Sequence, residues 1–157
     1  MTTHSHTPRT AQTTLDSQPP TAVLAAIGGS VAAILTAIGT FTDVLGPEEQ
    51  RSDGMAEFYS WLTIVGVIAV ATALLFGLVV RGATASNASS RGLVLAVLAV
   101  PTVLVAWSGL PPVLSAAALA CSFVARDGRG RFTGQDKATF VLVAVAMAGA
   151  VAFALAG

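Results

Sequence analysis

The chain has 157 residues, of which 54% are hydrophobic and only 10% are charged, and its formal net charge is zero. Soluble domains average about 45–50% apolar and about 25% charged residues, so this composition is typical of a membrane protein. The lack of a basic excess argues against a nucleic-acid partner. We therefore expect a single integral membrane domain whose first partner is the lipid bilayer.

A polar segment precedes the first apolar run. Residues 1–20 are rich in Thr, Ser, Gln and Pro and contain hardly an aliphatic side chain. Such a segment cannot bury enough apolar area to offset the entropy that ordering costs. The sequence therefore predicts two parts, which are a disordered cytoplasmic tail at 1–20 and a transmembrane helical bundle at 21–157.

The run from Thr21 to Thr42 predicts the first membrane helix, 21–42. Its length matches the roughly 20 residues with which a helix crosses about 30 Å of hydrocarbon. A cleaved secretory signal is the alternative, because Ala37 and Gly39 resemble a small-x-small cleavage site. The apolar stretch is longer than the roughly 7–15 residues of a signal core, which favours the membrane helix.

An acidic loop and a second helix follow. Residues 43–58 contain five acidic side chains and one Arg, and they include the turn signals Gly-Pro and Asp-Gly. The next run, 59–80, is long and apolar enough to predict the second crossing. The connector at 81–91 is made of small polar residues with an Arg at each end.

The longest uncharged run, residues 92–125, predicts two helices rather than one. As a single helix its 34 residues would measure about 51 Å, too long for a bilayer of about 30 Å. Gly109 readily takes the left-handed conformation that ends helices, and neither Pro111 nor Pro112 has an amide hydrogen to donate. The Gly-Leu-Pro-Pro segment therefore predicts a turn.

The two arms of this predicted hairpin, a third helix at 92–107 and a fourth at 111–125, are short for membrane crossings. Pro101 removes a backbone hydrogen bond from the third helix and should kink it. A re-entrant hairpin that does not reach the far surface is the alternative to two crossings. After a basic loop at 126–137, the run 138–156 predicts the fifth crossing.

Basic residues fall on one side of this arrangement. If five segments cross in turn, the tail, the 81–91 connector and the 126–137 loop share a side and carry seven of the eight Arg and Lys residues. Basic residues of short loops stay in the cytoplasm. We therefore predict an all-α, polytopic integral membrane bundle with the N-terminus inside and the C-terminus outside. The Arg, Ala and Val content favours a GC-rich bacterial genome and hence a bacterial inner (plasma) membrane.

Small residues at four-residue spacing mark candidate helix-packing faces, because small side chains let helix backbones approach closely in lipid. We expect them to pack within the bundle, and the alternative is that the fifth helix docks on another subunit. The faces on the first, second and fifth helices are Gly29, Ala33 and Ala37; Ala69, Ala73 and Gly77; and Ala144, Ala148 and Ala152.

The sequence predicts no catalytic, cofactor-binding or metal site. No Asp, Glu, Lys, Arg or His lies within a predicted membrane core, and enzymes or proton-coupled transporters in membranes depend on such groups. Cys121 is best interpreted as a buried packing residue. The basic residues of the predicted loop between the last two helices are candidates for contact with anionic lipid headgroups. They are Arg126, Arg129, Arg131 and Lys137.

Two functions fit these patterns. The first is a structural or accessory subunit that packs against itself, as a homo-oligomer, or against other membrane protein subunits, without enzymatic activity. The second is an oligomeric transporter or channel for a neutral or apolar solute, with hydroxyl groups along a polar path. Such hydroxyls more often bond a carbonyl one turn back. The residues concerned are Ser30, Thr36, Thr40, Thr63, Thr72, Thr102, Ser115 and Ser122.

Overall fold

The structure, a computed structural model, describes residues 21–41 and 54–156, and the regular secondary structure of these two ranges is entirely helical. The predicted tail, most of the acidic loop and Gly157 lie outside the described residues. The helices, in chain order, are α1 Thr21–Phe41; α2 Gly54–Leu74, continued by a π-helix Leu75–Val80; α3 Ala88–Ala99, continued by a 3₁₀ helix Pro101–Ser108; α4 Leu110–Arg129; and α5 Gly134–Ala156.

Each predicted segment is helical, but the helices extend further than hydropathy predicts. Helices α2, α3 and α5 begin four or five residues early, and α4 ends four residues late. The predicted loop at 126–137 is therefore wrong for most of its length, since only residues 130–133 separate α4 from α5. Hydropathy locates apolar stretches, whereas backbone hydrogen bonding continues through polar residues until a cap ends it. Gly130, with a left-handed φ of 69°, ends α4.

Three of the described helices are long and apolar enough to cross a membrane, over Thr21–Ile38, Phe58–Val80 and Gly134–Leu155. Helix α3 is apolar but shorter. Helix α4 has 20 residues, which corresponds to about 30 Å. The prediction of a short fourth helix is therefore wrong. It counted only the apolar part of the helix, whereas the last turn is polar.

The turn between α3 and α4 forms at the predicted Gly-Leu-Pro-Pro segment. The α-helical part of α3 ends at Ala99, and the chain continues from Pro101 as a 3₁₀ helix, since proline has no amide hydrogen to donate. Gly109 then takes the left-handed conformation, with φ 69° and ψ 7°, and Pro111 and Pro112 lie in the first turn of α4. The predicted kink thus takes the form of a change of helix type at Pro101 and a break at Val105, whose φ of −119° and ψ of 39° are not helical.

Helix α4 is the central helix of the bundle. It contacts α1, α3 and α5, and every residue from Pro111 to Ala118 is buried. Most of these side chains are small, so neighbouring backbones come close. A Cβ atom added to Gly28 of α1 would lie only 2.5 Å from the Cβ of Ala116. Close packing of small residues therefore holds α4 in place.

The α1–α2 pair is displaced along the bundle relative to α3, α4 and α5. Gly109, at the tip of the α3–α4 hairpin, packs against Ile68 and Ala32, which lie near the middles of α2 and α1. Leu24, in the first turn of α1, lines a cleft together with Val143, near the middle of α5. The two groups of helices therefore overlap over only part of their lengths.

Candidate functional site

One end of the bundle, which we call the basic end, is formed where the connector after α2 meets the connector after α4. Gly128 packs directly on Ala85, and Ser89 of α3 is hydrogen-bonded to Asp136 of α5. The structure thus brings together the two connectors that the charge count assigns to one side. The basic residues of this end are Arg81, Arg91, Arg126, Arg129, Arg131 and Lys137.

A buried polar network joins three helices at the basic end. The carboxylate of Asp136 is fully buried and accepts a 2.5 Å hydrogen bond from the Ser89 hydroxyl. Its second oxygen accepts two 2.7 Å bonds from the backbone N–H and the hydroxyl of Thr133. The Arg129 guanidinium donates in turn to the Ser89 hydroxyl. These bonds offset the loss of hydration that burial of a carboxylate entails.

Asp136 is a residue that sequence reasoning missed, because it was assigned to a solvated loop. The local signal was present, since Thr133-Gly134-Gln135-Asp136 precedes an apolar run and matches a capping box. In the structure, the Asp136 carboxylate accepts from the Thr133 N–H, and the Asp136 N–H donates to the Thr133 hydroxyl over 3.4 Å. The cap was therefore predictable, but the bond to Ser89, 47 residues away in the chain, was not.

The four predicted headgroup residues, Arg126, Arg129, Arg131 and Lys137, all have exposed side chains at the basic end. Arg129 also bonds within the protein, to Ser89 and to a carbonyl one turn back in α4 at 3.2 Å. The Arg126 guanidinium lies 5.1 Å from the centre of the Phe132 ring, which is a cation–π contact. Arg129 is thus partly committed to the fold, whereas Arg126 rests on an aromatic surface.

Three phenylalanine rings, which we call the phenylalanine cluster, pack together beside Arg126. The centre of the Phe132 ring lies 5.2 Å from that of Phe140 and 6.0 Å from that of Phe123. The rings meet edge to face, the geometry that aromatic quadrupoles favour. All three side chains are half-buried. An apolar surface therefore lies directly beside an exposed cation.

The predicted helix-packing faces lie in different environments. On α1, Gly29, Ala33 and Ala37 are half-buried within the bundle. Helix α5 packs into the bundle through another face, on which Ala146 and Ala150 are at most 2% exposed. The faces predicted on α2 and α5 are exposed throughout. They comprise Ala69, Ala73, Gly77, Ala144, Ala148 and Ala152.

The closest contact of α1 is made by a residue next to the predicted face. Gly28, not Gly29, meets Ala116 of α4. A Cβ atom added to Gly29 would lie 3.9 Å from the Thr72 hydroxyl oxygen, which is an ordinary van der Waals distance. Two adjacent small residues cannot be ranked by spacing alone, because the rotation of the helix decides which one meets a neighbour. Sequence reasoning therefore found the correct helix but not the contact.

The hydroxyl groups predicted for a polar path are mostly bonded within their own helices. Thr36, Thr63, Thr72 and Thr102 each donate to a carbonyl three or four residues earlier, at 2.7 to 3.0 Å. This is the ordinary behaviour of threonine in a helix. The buried hydroxyls of Ser115 and Ser122 in α4 have no hydrogen-bond partner among the described residues. The threonines therefore give no support to a polar path.

A mostly apolar cleft of about 130 Å³ lies between α1, α4 and α5. We call it the α1–α4–α5 cleft. Its volume is similar to that of apolar cavities of about 150 Å³ that bind small hydrocarbons in engineered proteins. Its walls include Leu24, Ile27, Val31, Ser115, Leu119 and Met147.

Within residues 21–41 and 54–156, no three His, Cys, Asp or Glu side chains form a group that could hold a metal ion. Cys121 is buried in α4. No protein-family model, curated protein or solved structure matches the chain. Function is therefore inferred from the exposed helix faces, the basic end and the cleft.

Proposed function

We propose that the protein is a structural or accessory subunit of a membrane assembly, in which α5 packs against a second copy or a partner subunit. The observation that carries this proposal is the exposed face of Ala144, Ala148 and Ala152 on a helix that is long enough to span a membrane. The same helix uses its other face, with Ala146 and Ala150, to pack against its own bundle. Helix α5 thus has one face for each neighbour.

The lipid environment explains why an exposed face of small residues favours assembly. Hydrocarbon chains are as apolar as the side chains of α5, so burial from lipid provides no hydrophobic gain. Helices associate in lipid where small side chains permit long van der Waals contacts between backbones. Ala148, at the centre of the face, lies where a second helix would approach most closely.

We further propose five crossings, with the N-terminus inside and the C-terminus outside, in a bacterial inner membrane. The concentration of bases at one end supports this sidedness. At the opposite end of α2, Phe58 and Tyr59 pack at 6.2 Å between ring centres, as in an interfacial aromatic belt. The hairpin runs alongside α5 as far as Gly149, where a Cβ would lie 3.0 Å from Val103. Its tip at Gly109 meets the middles of α1 and α2, which favours the re-entrant hairpin as the alternative to two crossings.

Labelling in intact cells tests this topology. Tags at residue 86 and at the C-terminus should report the cytoplasm and the outside, respectively. A membrane-impermeant maleimide should label Ser108→Cys from outside if the hairpin crosses, and should leave it unlabelled if the hairpin is re-entrant. The unmodified chain is the control, because its native Cys121 is fully buried.

Cysteine crosslinking in membranes tests assembly. Ala148→Cys should form a disulfide-linked dimer, or a crosslink to a partner subunit, when the membranes are oxidised. Ile34→Cys on α1 is the matched control, since Ile34 is 58% exposed but lies outside the predicted small-residue faces. Equal crosslinking of the two variants, or none with either, would contradict α5-mediated assembly.

A further inference from the structure

The α1–α4–α5 cleft continues into the phenylalanine cluster. Phe123 follows the cleft residue Leu119 by four positions in α4, and Phe140 precedes the cleft residue Val143 by three positions in α5. Residues three or four apart lie on the same face of a helix. Both steps lead toward the basic end, so the rings extend the apolar walls of the cleft in that direction.

Arg126 lies at the mouth of this extended surface. It follows Phe123 by three positions in α4, and its guanidinium lies over the ring of Phe132. The phenylalanine rings remain half-exposed. A partly exposed apolar surface thus lies beside a cation.

The extended surface is long rather than compact. Pro112, at the far end of the cleft, and Arg126 are 14 positions apart in α4, which corresponds to about 21 Å at about 1.5 Å per residue. The surface therefore fits an elongated apolar group better than a compact one.

The charges at the mouth favour an anion. Arg126, Arg131 and Lys137 have exposed side chains at the basic end, where Asp127 is the one exposed carboxylate among residues 21–41 and 54–156. Arg129 is held by its bond to Ser89. An amphiphile with a negative headgroup and a hydrocarbon tail is complementary to both parts of the surface.

We infer that the α1–α4–α5 cleft and Arg126 together bind one anionic phospholipid, with an acyl chain along the cleft and the phosphate at Arg126. This inference rests on the membrane position proposed above but not on assembly through α5. Bound lipid would fill the space between α1 and the α4–α5 pair. It would thereby fix α1 against the rest of the bundle.

Thermal unfolding of the detergent-purified full chain, titrated with phosphatidylglycerol or phosphatidylcholine, tests the inference. Phosphatidylglycerol should raise the unfolding temperature at lower concentrations than phosphatidylcholine. Arg126→Gln should weaken the apparent affinity for phosphatidylglycerol about fivefold, the effect of about one interfacial base. Arg126→Lys should restore most of it. Arg81→Gln, which removes another exposed Arg of the basic end, should change it less.

The cleft is tested by a second matched pair. Ile27→Trp fills the cleft and should weaken the effect of phosphatidylglycerol, whereas Ile34→Trp should not. The two isoleucines are similarly exposed on α1, at 53% and 58%. Equal effects within both pairs would overturn the inference, as would an equal stabilisation by glycerol phosphate, which has no acyl chain. An oligomer altered by Ile27→Trp alone, with no preference between the lipids, would assign the cleft to a second copy instead.

Failure of this inference differs from failure of the proposed assembly. Lipid-dependent stabilisation is measured on the separated chain in detergent, whereas assembly is measured by crosslinking at Ala148 in membranes. A chain that needs no detergent to remain in solution would contradict the membrane position itself, and with it both proposals.

Discussion

Helices α4 and α5 are neighbours of similar length, yet they use apolar surface in opposite ways. Helix α5 is apolar enough to span a membrane, but only 22% of its candidate span is buried. Helix α4 has a polar last turn and is not among the candidate spans, but it is buried on all sides from Pro111 to Ala118. The more apolar helix is therefore the more exposed one.

This order is the reverse of that in a water-soluble protein. In water, the helix that is hydrophobic on all sides belongs in the interior. In lipid, apolar surface gains nothing from burial, so the interior position goes to the helix whose small side chains allow the closest packing. The difference between α4 and α5 is thus the one expected for a bundle that packs in lipid rather than in water.

The largest expected effect comes from adding the same bulk to both helices. Ala117→Leu in α4 should destabilise the bundle by about 3 kcal/mol, because a fully buried site has no room for the added carbons. Ala148→Leu in α5 should change the stability of the separated chain by less than about 0.5 kcal/mol, as usual for an exposed site. Chemical unfolding in detergent measures both values.

If Ala148→Leu lowered the unfolding free energy of the separated chain more than Ala117→Leu, the contrast between a tightly packed α4 and an exposed α5 would be contradicted. In membranes, the second variant has a different expected effect. It should reduce crosslinking between α5 helices, since a leucine at the centre of the small-residue face keeps two backbones apart.

An intermediate effect is expected at the buried polar network, which joins α5 to α3 and, through Arg129, α3 to α4. Asp136→Ala removes three hydrogen bonds, including the side-chain half of the α5 capping box, and it should cost about 2 kcal/mol of unfolding free energy. Asp127→Ala is the control, because Asp127 lies at the same end of the bundle with its side chain exposed. Similar unfolding free energies for the two variants would show that the network does not hold α3 and α5 together.

The smallest effect is expected at a buried hydroxyl of α4. Ser122 has no hydrogen-bond partner among the described residues, so Ser122→Ala should raise the unfolding free energy by less than about 1 kcal/mol. Ser89→Ala, which removes a bonded hydroxyl from the polar network, should lower it. A clear loss of stability with Ser122→Ala would reveal a polar contact in the interior of the bundle.

Much of the helical layout was predictable from local patterns. The left-handed Gly109 and the prolines after it indicated the α3–α4 turn, and the structure confirms both the turn and the conformation of the glycine. The capping box at Thr133 and Asp136 was equally local, although it was overlooked. Helix ends were predicted too early or too late because hydropathy reports apolar length rather than hydrogen bonding.

Composition and spacing alone determined that this chain is helical and carries segments able to cross a membrane, because lipid allows a chain to satisfy its backbone only in a few ways. Only the tertiary structure decided which small residues meet, as at Gly28 and Ala116. It also decided that Asp136 is bonded to Ser89 and that α4 is central. These contacts depend on how the helices are rotated and displaced against each other, which no periodicity within a single helix encodes.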